Sequence, residues 1–199
     1  MIDQQGKITV PHQFEHLSYF KNRIAKARKN GKYGFIDLNG KWIIKPMFDN
    51  ARDFENKLAP VLKNGKYGLI NSQNKFVVTP EYDEIWYAGN NLWATVKNQK
   101  YNYIKSDGTP IIAKDYDMLY SYSEKRAGYY EGYLWGFLDE NGKAITPAHF
   151  GLVWDFKEGL ARAAYRDGIG FINPNGELVL EPRWKDARDF SEGLARVQL

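Results

Sequence analysis

The chain of 199 residues contains no cysteine. That excludes disulfides, thiolate zinc sites, iron–sulfur clusters and thiol nucleophiles. Histidine is nearly as scarce: His12, His16 and His149 are the only three, which leaves little for imidazole chemistry. No stretch approaches the roughly 18 consecutive apolar residues of a membrane-spanning helix. Met1–Lys7 has no apolar run behind its charges, so no secretory signal is expected and the cytoplasm is the expected compartment. Acidic residues are scattered singly, and no carboxylate pair for glycoside chemistry can be assigned. Helical periodicity is absent nearly throughout; only Lys21–Lys29 resembles a short helix.

What the chain does hold is aromatic side chains: 14 Tyr, 11 Phe and 6 Trp, or 16%. Charge is unevenly placed. Residues 1–66 carry 13 Lys/Arg against 6 Asp/Glu, and residues 67–199 carry 15 against 18. The formal +4 therefore belongs to one end, most densely Lys21–Lys32. A basic end can attract nucleic acid or an acidic protein surface, although charge runs usually serve only to solvate a face.

The sequence is a tandem repeat whose interval never slips. Tyr33-Gly34-Phe35-Ile36 returns as Tyr67-Gly68-Leu69-Ile70, Tyr101-Asn102-Tyr103-Ile104, Trp135-Gly136-Phe137-Leu138 and Ile169-Gly170-Phe171-Ile172. Other columns stay in phase: Phe14, Phe48, Tyr82, Tyr116, Phe150 and Trp184; Phe20, Phe54, Ala88, Tyr122, Phe156 and Phe190; Ala25, Ala59, Trp93, Ala127, Ala161 and Ala195. Within a unit, short β-branched and aromatic runs are bounded by turn residues, which reads as strand. Asn-Gly or Asp-Gly begins at Asn30, Asn39, Asn64, Asp107, Asn141, Asp167 and Asn175, and this pair favours type I′ hairpin turns. Each unit is expected to be a meander of three strands with a short fourth. The units run about 1–30, 31–64, 65–98, 99–132, 133–166 and 167–199, within a single domain. Lys21–Lys29 falls in the strand column Leu-Ala-x-Val, so strand is expected there too.

Glu-Gly-Leu-Ala-Arg-Val, then Asn-Gly-Lys-Tyr-Gly-Phe-Ile-Asp, then Asn-Gly-Lys and Ile-x-Pro, closing on Asp-Phe, resembles the bacterial WG repeat. Asp189–Val197 and Lys32–Phe54 carry the resemblance most closely, and it covers essentially the whole chain. The unit with Asn102 in place of glycine and Lys114 in place of proline departs from it. The resemblance implies a β-repeat interaction scaffold and brings no catalytic residues. The expected fold is all-β, with six meander units. The ends suggest a propeller-like ring closed by pairing Leu194–Leu199 with Met1-Ile2-Asp3, since closure removes exposed strand edges. The alternative is an open β-superhelix or solenoid.

Most motifs read as structure. The Tyr/Trp-Gly pair is expected to pack a flat ring where glycine lets backbone approach. Asp37-Leu38-Asn39-Gly40 and Asp139-Glu140-Asn141-Gly142 lack the third oxygen ligand and the glutamate of a calcium loop, so they read as turns. Gly31-Lys32, Gly40-Lys41 and Gly65-Lys66 lack phosphate-loop spacing. His12 and His16 have no repeating acidic partners. No metal, cofactor or enzyme activity is expected.

Breaks in the repeat are more informative. One column reads Ser18, Arg52, Trp86, Tyr120, Trp154 and Arg188. A column that accepts Ser and Arg is expected to be solvent-accessible, so serine at its three aromatics should cost within about 0.5 kcal/mol. Trp86, Tyr120 and Trp154 are then expected to form an exposed stripe flanked by Arg52 and Arg188, a feature of binding sites. Trp93, in an alanine column, and Tyr129, Tyr130 and Tyr133 are further candidates, although repacking with larger residues would also explain them. The leading expectation is a non-enzymatic protein–protein interaction scaffold, an adaptor or toxin-neutralising partner. A glycan or cell-wall binding module is the alternative, since rings stack on sugars. Single-stranded nucleic acid stands third, because the basic end is distant in sequence from the stripe.

Overall fold

The computed structural model describes residues 1–2 and 4–199; Asp3, part of the expected terminal strand, lies outside them. Among the described residues there is no helix, and antiparallel strands recur at the interval read from the sequence. The first sheet holds β1 (His16–Leu17), β2 (Ala25–Lys29), β3 (Lys32–Ile36) and β4 (Trp42–Phe48) in sequential order. The second repeats it with β5 (Asn50–Ala51), β6 (Ala59–Lys63), β7 (Lys66–Ile70) and β8 (Phe76–Tyr82). The third has β9 (Glu84–Gly89), β10 (Leu92–Lys97) and β11 (Lys100–Lys105), and the fourth β12 (Met118–Leu119), β13 (Ala127–Glu131) and β14 (Leu134–Leu138). Four strands return in the fifth: β15 (Leu152–Val153), β16 (Ala161–Tyr165), β17 (Gly168–Ile172) and β18 (Leu178–Trp184). The last sheet pairs β19 (Asp186–Ala187) with β20 (Val197–Gln198). Within residues 21–29, Lys21 and Ile24 bridge across a turn at 22–23 and Ala25–Lys29 is strand β2, paired to β1 and β3, so the segment is not helical.

The chain forms two compact units, one of residues 1–86 with 106–108, the other of 87–105 with 109–199. In the first, Phe35, Ile44, Phe48, Phe54, Val61 and Ile70 form a core. In the second, Phe137, Phe150, Phe156 and Ile172 occupy the equivalent columns. The same two columns meet as a ring pair again and again: Phe35–Phe54 at 4.8 Å, Tyr103–Tyr122 at 4.9 Å, Phe137–Phe156 at 5.1 Å and Phe171–Phe190 at 5.1 Å. Such pairs add about 0.5–1.5 kcal/mol each beyond the area they bury.

The glycine of the Tyr/Trp-Gly pair has a steric cause. A Cβ on Gly34 would lie 2.4 Å from the Ile44 carbonyl oxygen, and one on Gly68 2.5 Å from that of Val78. The outer strand crosses directly over the glycine, and the β3–β4 and β7–β8 ladders shift register at that point. Asn102 shows what a side chain does there. Its amide donates to Asp115 Oδ1 at 2.7 Å, and the segment after β11 keeps only the bridges Ile104–Pro110 and Tyr101–Tyr116. The fourth sheet loses its outer strand differently. Gly136 is retained, but the Tyr129 ring occupies the space above it, 2.6 Å from where a Cβ would stand.

Turn chemistry is partly as expected. Asn30-Gly31 and Asn64-Gly65 have positive φ at both residues, whereas at Asn39-Gly40, Asn141-Gly142 and Asn175-Gly176 only the glycine does. There the side chains of Asp37, Asp139 and Asn173 accept backbone N–H bonds from two and four residues on, which makes these segments turns. A second family of doubly positive turns, at 22–23, 56–57, 90–91, 124–125, 158–159 and 192–193, carries no Asn-Gly signal. Several of these turns are tied to one another. The Glu124 carboxylate accepts both N–H groups of Glu158-Gly159, and Glu158 accepts both of Glu192-Gly193. Lys21 pairs with Glu55, again one repeat apart. Ion pairs recur at the repeat interval too: Lys32–Asp49, Lys66–Asp83 and Lys100–Asp117. Exposed pairs of this kind contribute little individually.

Candidate functional site

The stripe column is half-buried rather than open, because its members lean on the Tyr/Trp column of the unit that follows. Arg52 lies over the Tyr67 ring at 5.4 Å and pairs with Glu84. Tyr120 stacks on Trp135 at 4.4 Å, and Tyr130 reaches the same ring at 5.0 Å. Trp154 packs beside Ile169, Phe171 and Trp184. Trp86 is also half-buried, while Arg188 is exposed and sits 3.5 Å from Asp186. Serine tolerance at Ser18 therefore does not carry over to Tyr120 or Trp154, where it would remove real packing. Two further candidates are corrected. Trp93 is 0% exposed and packs against Tyr87 at 5.4 Å. Tyr129 is buried over Gly136, donates its hydroxyl to the Thr146 carbonyl at 3.0 Å, and has its phenol pushed up to about 12 by burial. Neither presents a surface to a ligand. Tyr133 does, at 88% exposure, on the Gly132-Tyr133 hairpin tip where both φ angles are positive.

Tyr120 and Trp154 line one groove of about 470 Å³ with Ser121, Leu152, Val153, Asp155 and Asp189. Two of its lining residues, Asp189 and Trp154, are held by Arg162, a buried cation. The Arg162 Nε donates to Asp189 Oδ1 at 2.6 Å, Nη1 donates to the Ala187 carbonyl at 2.6 Å, and the guanidinium lies 4.3 Å from the Trp154 ring centre. Held through Nε and Nη1, Arg162 clamps Trp154 in place. Asp155 has no such partner: among the described residues its side chain makes no hydrogen bond or ion pair. Burial raises its pKa, with Lys157 opposing and Asp189 adding to the rise. Deeper down, Tyr103 donates its hydroxyl to the Tyr120 carbonyl, and burial holds that phenol far above its ordinary value.

The first compact unit carries the same groove four repeats earlier, about 550 Å³, lined by His16, Leu17, Ser18, Tyr19, Lys26 and Asp53. Sequence reasoning missed the polar members of both grooves. The signal was one residue from the stripe, in the column Tyr19, Asp53, Tyr87, Ser121, Asp155 and Asp189, and in the column Lys26, Pro60, Ala94, Gly128, Arg162 and Arg196. Among the described residues no three His, Asp or Glu side chains converge to hold a metal ion, and no helix is long and apolar enough to cross a membrane.

The profile of the WG containing repeat matches residues 1–33, 33–67, 67–101, 135–167 and 169–199. The chain belongs to the WG-repeat family. The gap between matches holds Asn102 and Lys114, where the WG repeat loses its glycine and its outer strand. A comparison with curated proteins finds no match. Among solved structures, a eukaryotic initiation factor is similar at TM-score 0.55 and 13% identity, over 93% of this chain and 59% of that one. Hsv2p of Kluyveromyces lactis is similar at TM-score 0.48 and 12% identity, over 94% of this chain and 71% of that one. YCF48 bound to D1 peptide gives TM-score 0.42 and 12% identity, over 91% and 74% of the two chains. The initiation-factor likeness shows an all-β fold of small antiparallel sheets and nothing of activity.

Proposed function

We propose that this WG-repeat protein is a non-enzymatic, cytoplasmic interaction module that binds another protein in the Tyr120–Trp154 groove, as an adaptor or a toxin-neutralising partner. The observation that carries the reading is the groove itself. Two half-buried rings stand at its edge, one locked by a buried arginine, beside a carboxylate with no partner of its own. Rigid aromatics in a pre-formed, partly desolvated groove are the usual anchors of protein interfaces. The carboxylates Asp155 and Asp189 argue against nucleic acid, whose phosphates they would repel. Stacking of a sugar on Trp154 beside those carboxylates is the second reading, and the same experiment separates it. The protein is immobilised and exposed to cell extract and, in parallel, to cell-wall oligosaccharides, as wild type and as the Tyr120→Ser and Trp154→Ser variants. A protein retained by the wild type and lost from both folded variants is the expected result. Retention of oligosaccharide alone would transfer the site to glycan binding, and identical capture by all three would remove the site altogether.

For the arrangement of the repeats we propose closure through the terminal strands. Ile2 bridges Ile8 as Ile70 pairs with Phe76, so the N-terminal residues already hold the register of their column. Deleting Leu194–Leu199 should then lower stability sharply, whereas mere fraying of one end would favour an open superhelix.

A further inference from the structure

We propose that the Tyr120–Trp154 groove is a guanidinium socket, taking an arginine side chain of the protein partner; this rests on the binding reading above. The repeat supplies its own template. In the fifth and sixth sheets a guanidinium is held by the Asp189 carboxylate, the Ala187 carbonyl and the Trp154 ring, and Arg162 provides it. One repeat earlier, Asp155 stands for Asp189, Val153 for Ala187, Tyr120 for Trp154, and Gly128 for Arg162. Glycine places no side chain there, and the Tyr120 ring and the Val153 side chain close on Gly128 instead, each 3.0 Å from where a Cβ would stand. Asp155, Val153 and Tyr120 also line the open groove, so a guanidinium from outside would meet the Asp155 carboxylate and the Tyr120 ring from the solvent side.

The charge pattern fits the same occupant. The Asp155 carboxylate stands at the exposed edge of the groove without a hydrogen-bonded cation. The nearby Lys157 interacts with Asp155 through charge alone, and Arg162 is committed to Asp189. An arginine from outside would restore the bidentate-capable partner that the repeat supplies one unit on. The first compact unit shows the same column under the same stress. There Lys26, in the Arg162 column, turns its Nζ toward the Tyr33 ring at 5.7 Å, and Asp53 Oδ1 is left buried without a partner.

The test titrates the full chain with three capped peptides, Gly-Gly-Xaa-Gly-Gly with arginine, lysine or citrulline at the centre, and follows the Trp154 indole resonance by NMR, assigned with Trp154→Phe. Arginine should shift the Trp154 signal at concentrations at least tenfold below those needed for citrulline, which keeps the shape and loses the charge. Lysine should fall between, as a point charge without the planar fork. Asp155→Asn should erase the preference for arginine over citrulline, and added salt should weaken the arginine peptide most. Equal response to arginine and citrulline in the wild type would overturn the socket, even if Asp155→Asn failed to fold. A panel of acidic and aromatic peptides separates the two claims. If they shift Trp154 and arginine does not, the socket falls and protein binding stands; if no peptide shifts it, both fall.

Discussion

Replacing Gly68 by alanine tests the physical account of the repeat at one atom. An alanine Cβ there would lie 2.5 Å from the Val78 carbonyl oxygen and 2.8 Å from the Pro80 nitrogen. Both neighbours are backbone, so no rotamer relieves the clash. Either β8 shifts outward, or it leaves β7. Overpacking of this kind costs about 1–3 kcal/mol. For a chain of this length each kcal/mol lowers Tm by about 2–4 °C, so a fall of roughly 2–12 °C is expected. Asn102 shows the end state, a unit that retains three paired strands while the outer segment is held only by bridges. Amide exchange should therefore quicken along Phe76–Tyr82 in the variant while β6 and β7 stay protected. Asn102→Ala is the control and should change Tm less, because no strand crosses over that position. A Gly68→Ala protein with a wild-type melt and unchanged protection of Phe76–Tyr82 would refute the close-approach argument.

Arg162→Ala leaves Asp189 without its cation and Trp154 without its clamp; a loss of about 2 kcal/mol is expected in urea unfolding, in the range of hydrogen bonds to charged groups. Glu158→Ala removes the acceptor for two turn N–H groups, Glu192 and Gly193, and should cost about 1 kcal/mol, as a lost helix cap does. Asp155→Asn should raise Tm slightly at pH 7. Burial lifts the Asp155 pKa above its ordinary 3.8, so folding penalises the ionised form; the gain should vanish well below pH 3.8, where the carboxyl is protonated in both states.

The repeat was legible because packing imposes one residue type per column: the Gly34, Phe35 and Phe54 columns meet in every unit that keeps them. The loss of the outer strand was legible at Asn102, where the glycine is visibly replaced, but not at Gly136, where it is kept. There the cause is Tyr129, in a column otherwise of Ala, Val and Thr, whose ring takes the strand's place. Tyr129 and Trp93 read as surface candidates because an oversized residue in a small-residue column looks the same in sequence whether it fills a core or extends from it. The groove was half legible. Its aromatics broke a pattern, whereas Asp155, Asp189 and Arg162 looked like scattered charges until the fold placed Arg162 between Asp189 and Trp154. The turns at 124–125 and 158–159 escaped notice because Glu-Lys and Glu-Gly give no hairpin signal. At 158–159 the conformation is held instead by the carboxylate of the neighbouring turn, Glu124.

The most direct measurement is the affinity of the captured protein partner for three forms of the chain: wild type, Tyr120→Ser and Trp154→Ser, each titrated calorimetrically well below its own Tm. Central interface aromatics carry about 2 kcal/mol or more, which is roughly a thirtyfold loss of affinity apiece. That loss, in variants whose spectra show the fold intact, is the predicted result. Wild-type affinity in both folded variants would contradict the claim that this groove is where the protein acts.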